Sequence, residues 1–170
     1  MASLARDLNV SFDSIRSWLD IFENFFMIFR IAPWRKKVSR PITKEKKLYL
    51  FDYAGIESPA AKFENMVALE LLRAVSNWND LGLGDFSLHY VRNRDKEEVD
   101  FLIANRHRPF ILIEAKLSDE NLSKSLMKFQ KTLNAPAVQL VNKKGICKLV
   151  SNNDMKIMVV SADHWLSLLP

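Results

Sequence analysis

Two short apolar runs, Glu98-Val99-Asp100-Phe101-Leu102-Ile103 and Ile111-Leu112-Ile113-Glu114-Ala115-Lys116, flank the polar segment Asn105-Arg106-His107-Arg108-Pro109. Runs of this length and composition are strands, and so short a link makes them an antiparallel hairpin. A hairpin with an apolar face needs a second layer to cover it. Folded about His107, the hairpin sets residue 100 opposite residue 114. Side chains alternate along a strand. Ile111, Ile113, Ala115 and Leu117 therefore share one face, and Leu112, Glu114 and Lys116 the other. On the partner strand, Val99, Phe101 and Ile103 oppose Glu98, Asp100, Leu102 and Ala104. Asp100 and Glu114 become a cross-strand pair of like charge, with Cβ atoms about 5 Å apart, which destabilises the sheet unless a cation stands between them. Two acids and a lysine on one sheet face are the groups that metal-assisted phosphodiester cleavage uses.

The flanking elements follow from caps and periodicity. Ser58-Pro59 opens a helix, with Phe63, Val67, Leu71, Ala74, Val75 and Trp78 on one stripe and Gly82 and Gly84 beyond its end. Strands are expected over 86–91, 97–104 and 110–117. A helix follows over about residues 122–133, and Pro136 stops it. Strands 137–141 and 156–160 close the chain, giving the order α-β-β-β-α-β-β from residue 59. Upstream, residues 2–8 and 12–23 predict two helices, the second capped by Ser11 and striped by Phe12, Ile15, Trp18, Leu19 and Phe22. Strands near 25–31 and 47–51 complete half of a winged helix. The expected domains are thus 1–55, a partial winged helix with a basic wing over 35–47, and 56–170, an α/β (α+β) domain. The second helix carries Asp13, Asp20 and Glu23 against Arg16, an acidic balance that suits a DNA major groove poorly.

Charge is concentrated in that wing. Arg35, Lys36, Lys37, Arg40, Lys44, Lys46 and Lys47 face Glu45 alone, while the whole chain of 170 residues carries only +5. Such a run either contacts nucleic-acid phosphates or is a solvated linker. The single cysteine, Cys147, excludes an internal disulfide and a cysteine-rich zinc site, in keeping with a cytoplasmic location. The most apolar stretch, residues 18–31, is interrupted by Asp20, Glu23, Asn24 and Arg30 and is shorter than the about 20 residues a spanning helix needs, so no membrane partner is expected.

As a metal site, Asp100, Glu114 and the Ala115 carbonyl offer the oxygen ligands that Mg²⁺ or Mn²⁺ takes. Lys116 then orients or deprotonates a water and stabilises the phosphorane-like transition state. Glu64, beside the apolar stripe of the helix from residue 59, either completes the metal shell or is a surface glutamate favoured by the helix dipole. Gln130 is a candidate orienting side chain or a surface residue. The plainer alternative is a solvated sheet face on which Lys116 pairs with Glu114, Glu98 or Asp100. His89, His107 and His164 have no ligand spacing.

Glu64, Asp100 and Glu114-x-Lys116, in that order on helix, strand and strand, resemble the PD-(D/E)xK nuclease superfamily, with Val99 where its proline usually stands. That resemblance implies a restriction-endonuclease-like core, α-β-β-β-α-β with a mixed sheet, a Mg²⁺-dependent endonuclease acting on DNA, and a homodimer where two strands are cut. The stretch 47–55, the helix start 62–70, Glu98-Val99-Asp100-Phe101 and Ile113-Glu114-Ala115-Lys116 are similar to a domain of unknown function attached to bacterial and archaeal AAA-type ATPases. This resemblance implies an AAA-type ATPase domain as partner. The chain has no Gly-x4-Gly-Lys-Ser/Thr sequence, so no ATP binding by that route is expected, and an excised domain, a truncated gene or a solo relative is the expectation. The alternative function is a non-catalytic DNA-binding, regulatory or protein-interaction module of such an ATPase.

Overall fold

In a computed structural model, which describes residues 2–35, 45–118, 121–152 and 155–170, local signals place the elements. Helix α1 (Ala2–Asp7) is followed by α2 (Phe12–Asn24), where Ser11 Oγ accepts from the Ser14 amide. Strands β1 (Ile28–Pro33) and β2 (Lys47–Leu50) pair antiparallel. Ser58 caps α3 (Pro59–Asp80), whose first residue is the proline that needs no amide partner there. It ends where Gly82 takes φ +68°, a left-handed turn that glycine adopts without strain. Strands β3 (Phe86–Arg92), β4 (Glu98–Asn105) and β5 (Arg108–Lys116) form a meander. Ser123 caps α4 (Lys124–Leu133), and Asn134 closes it in the left-handed region. Strands β6 (Ala137–Val141), β7 (Cys147–Asn152) and β8 (Met155–Ser161) and the short helix α5 (Ala162–Leu166) complete the described chain.

The eight strands among the described residues form one mixed sheet in the order β2-β1-β3-β4-β5-β6-β8-β7. The run α3-β3-β4-β5-α4-β6 has the expected element order. Helices α3 and α5 bury Phe63, Val67, Leu71 and Leu166 against Phe101, Ile103, Ile113 and Leu140 on one face. Helix α4 buries Leu126 and Phe129 against Leu102, Leu112, Ala137 and Ile157 on the other. The hairpin is therefore apolar on both faces through its middle and polar only toward one end. β1 joins β3 in parallel through Ala32↔His89 and Pro33↔Tyr90. Phe29, Ile31 and Tyr49 lie in the same core cluster as Phe63 and Phe101, so the 1–55 and 56–170 segments share a sheet and a core.

The expected register holds where it matters. Phe101↔Ile113, Leu102↔Leu112 and Ile103↔Ile111 are centred on residue 107, although the turn itself is tighter, with Arg106 and His107 both at positive φ. A bulge between Ile103 and Ala104 absorbs the one-residue difference. Elsewhere the sequence reading falls short. β7 and α5 were not anticipated: the first is a largely exposed strand next to β8, the second a five-residue helix. Of the expected α2 stripe only Ile15 and Leu19 are buried, packed on Ala5 and Ile28. Phe12, Trp18 and Phe22 remain 40–43% exposed, since among the described residues α2 packs mainly on α1 and β1.

Candidate functional site

The site begins with a single amide. Asn65, buried on α3, donates from Nδ2 to the Leu50 carbonyl at 2.7 Å and accepts the Leu50 N–H on Oδ1 at 2.8 Å. It thereby holds β2, the edge strand, to the helix, as a neighbouring strand would. The β1–β2 edge curls over the sheet, bringing the Tyr49 ring 5.8 Å from that of Phe101 on β4. Lys47 and Tyr49, two apart and so on one side of β2, both reach Glu64. Tyr49 Oη donates to Glu64 Oε1 at 2.8 Å, and Lys47 Nζ lies 3.1 Å from the same oxygen. The ammonium also meets Glu98 Oε1 at 2.8 Å and Asp100 Oδ1 at 3.4 Å.

Asp100 reaches this point through a second irregularity. His89 pairs with Leu102 and Val91 with Val99, so Asp100 and Phe101 together oppose Tyr90. Such a bulge breaks the alternation of side chains. Val99 and Phe101, expected on one face, enter cores on opposite faces of the sheet. Asp100 Oδ2 accepts the Ala115 amide at 3.0 Å. Glu114, only 4% exposed, accepts the Asp100 amide at 3.4 Å and pairs with Lys116 Nζ at 3.1 Å. Beside Glu114 in register lies Gln139, wholly buried, which accepts the Ser123 amide and donates to the Asn121 carbonyl and so fixes the approach to α4.

Glu64, Asp100, Glu114 and Lys116 are thus brought into one network. Gln130 is half-buried on α4 and makes no hydrogen bond to these acids among the described residues. Of the basic run, Arg35 is half-buried, Lys46 is exposed and Lys47 turns inward, while Lys36, Lys37, Arg40 and Lys44 lie outside the described residues. The sequence reading missed the parts played by Lys47, Tyr49, Glu98 and Gln139. One signal was present: a lysine two residues before Tyr49 at the start of an apolar strand occupies an inward position.

The charges are out of balance. Burial, then the charges of Glu114 and Glu64, push the Asp100 carboxyl up to about 7, against the opposing pull of Lys47 and the Ala115 amide. Burial works against the Lys47 charge, but Asp100, Glu64 and Glu98 outweigh it and hold the ammonium protonated. Tyr49 is raised by burial and then by Glu64, so it acts as a hydrogen-bond donor. As donors, carboxylate oxygens short of positive charge fit a hard divalent cation. Among the described residues, however, no three His, Cys, Asp or Glu side chains are arranged to hold a metal ion. The cation that stands among the carboxylates is the Lys47 ammonium.

Fold and site together define a mixed α+β protein with an acid–lysine centre at one end of its sheet. A family model described as a domain of unknown function, DUF4143, matches residues 60–163, and the chain belongs to that family, which is typically associated with AAA-type ATPases. A second domain of unknown function, DUF8612, matches residues 1–58. The chain is similar to "Uncharacterized protein MJ1544" of Methanocaldococcus jannaschii, 27% identical over 185 residues that cover all of this chain and 38% of that relative. It therefore spans well under half of the relative's length. No solved structure matches. No helix among the described residues is long and apolar enough to cross a membrane.

Proposed function

We propose that this chain is a restriction-endonuclease-like module that binds nucleic acid, DNA in the first instance, and hydrolyses phosphodiester bonds at the acid–lysine centre. The observation that carries this reading is the convergence of Glu64 from α3, Asp100 from β4 and Glu114 and Lys116 from β5 on one end of the sheet. Glu64, Asp100, Glu114 and the Ala115 carbonyl would hold Mg²⁺ or Mn²⁺, which would supply a more acidic water and offset charge building on the phosphate. Lys116, with a side chain 38% exposed and anchored by Glu114, is placed to meet an incoming phosphate oxygen and to orient the attacking water. Arg35, Lys46 and the basic residues between them supply sequence-independent phosphate contacts. A homodimer serves cleavage of two strands, and an AAA-type ATPase is the protein partner in keeping with the family.

The second reading, a non-catalytic module of such an ATPase, is favoured by one observation: Lys47 already neutralises part of the acid cluster. A plasmid-nicking assay with Mg²⁺ separates the two. On the first reading the wild type nicks DNA and Lys116→Ala slows it at least about 100-fold, the usual share of a positioned proton-transfer group. Equal rates remove Lys116 from the mechanism. Binding of DNA without nicking by the wild type establishes the second reading.

A further inference from the structure

The acid cluster and its ammonium come from different parts of the chain. Lys47 belongs to the segment matched by one family and Glu64, Glu98 and Asp100 to the segment matched by the other. Their three carboxylates gather on one Nζ at 2.8–3.4 Å, and the lysine side chain is only 22% exposed. We propose that Lys47 is an internal cation that holds this centre closed, and that it and a divalent ion exclude one another there. This rests on the nuclease-type reading of the centre and names its regulation.

The physical reason is mutual repulsion over shared ligands. Oxygens of Glu64 and Asp100 that contact Nζ are those a divalent ion takes, and two cations a few ångströms apart in a half-buried place repel strongly. Exchange is favourable in charge. Glu64, Glu98, Asp100 and Glu114 are matched by Lys47, Lys116 and Arg92, which pairs with Glu98 at 3.6 Å, so one negative charge is left over once Asp100 is ionised. Replacing a single positive charge by a double one closes that gap. The flexible four-carbon stem lets the ammonium leave the carboxylates on such an exchange, against its contact with the Tyr90 ring, whose centroid lies 5.7 Å away. Lys116 pairs with Glu114 at 3.1 Å.

Titration calorimetry with Mn²⁺ alone tests this on the full chain. Lys47→Met and Lys47→Gln bind Mn²⁺ at least tenfold more tightly than wild type, whereas Lys131→Met, on the exposed side of α4, does not tighten binding. In EDTA both Lys47 variants melt below wild type, and Mn²⁺ raises their melting temperature by more than it raises that of the wild type. A measurement on the unaltered protein guards against misfolded variants: Lys47 resists acetylation by acetic anhydride in EDTA and becomes reactive in saturating Mn²⁺, read by mass spectrometry. If the wild type binds Mn²⁺ while the Lys47 variants bind no better and acetylation of Lys47 is unchanged, the lysine is no gate although the centre takes metal. If neither wild type nor variants bind Mn²⁺, the nuclease-type reading falls and the gate with it.

Discussion

At Asp100 the folded chain holds a proton more tightly than an unfolded chain would, since burial and then Glu114 and Glu64 lift its carboxyl to about 7 from the ordinary value near 4. A raised acid favours the folded state while protonated. The contribution is complete below about pH 4 and is lost as pH rises through about 7. In EDTA, the free energy of urea unfolding is expected to fall across that window. Asp100→Asn should flatten this fall and leave the protein about 2 kcal/mol more stable than wild type at pH 8. A wild-type profile already flat from pH 4 to 8 contradicts the assignment. Phe101, next in sequence and fully buried against Tyr49, is a packing residue without ambiguity, and Phe101→Ala should cost about 3–5 kcal/mol by the same measurement. These two neighbours show what was legible residue by residue. Acid-x-lysine and the pairing of 100 with 114 could be read from alternation and the turn. The bulge opposite Tyr90, which sends Phe101 and Val99 to opposite faces, could not, because it depends on how β3 runs rather than on β4 alone.

At the scale of elements, capping and periodicity were reliable guides. α3, β3, β4, β5, α4 and β6 lie close to their expected places because Ser58-Pro59 and the apolar stripes act within a turn or two of themselves. β7 and α5 escaped because a mostly exposed strand and a five-residue helix carry little periodic signal. Two elements invite direct tests. The β4–β5 turn places Arg106 and His107 at φ 48° and 63°, a conformation that Asn and Gly adopt with less strain. Arg106→Asn with His107→Gly should therefore stabilise the protein by about 1 kcal/mol, visible as a higher melting temperature. Asn65 is the reverse case. Asn65→Ala leaves the Leu50 N–H and carbonyl without their partner and should cost about 2 kcal/mol. Amide exchange at Leu50 should accelerate by more than exchange in β4 and β5. Equal acceleration throughout would mean that Asn65 supports the whole fold rather than the edge carrying Lys47.

For the whole molecule, the continuous sheet and the shared cluster around Phe29, Tyr49, Phe63 and Phe101 predict one cooperative unfolding transition. Calorimetry should give a single peak with matching calorimetric and van't Hoff enthalpies. Two separated peaks would mean that the segments on either side of residue 55 unfold independently. The sequence by itself determined the strands of the central hairpin, their register near the acids and the helices on either side, since each rests on contacts within a few residues. Tertiary structure alone decided where the charge of Lys47 goes. That lysine reads as the end of a basic run, yet its carboxylate partners lie 17 residues away at Glu64 and 53 away at Asp100. Only the curl of the β1–β2 edge, pinned by Asn65, brings them within reach. A lone ammonium among three carboxylates is a property of that long-range closure, and no local pattern in the chain encodes it.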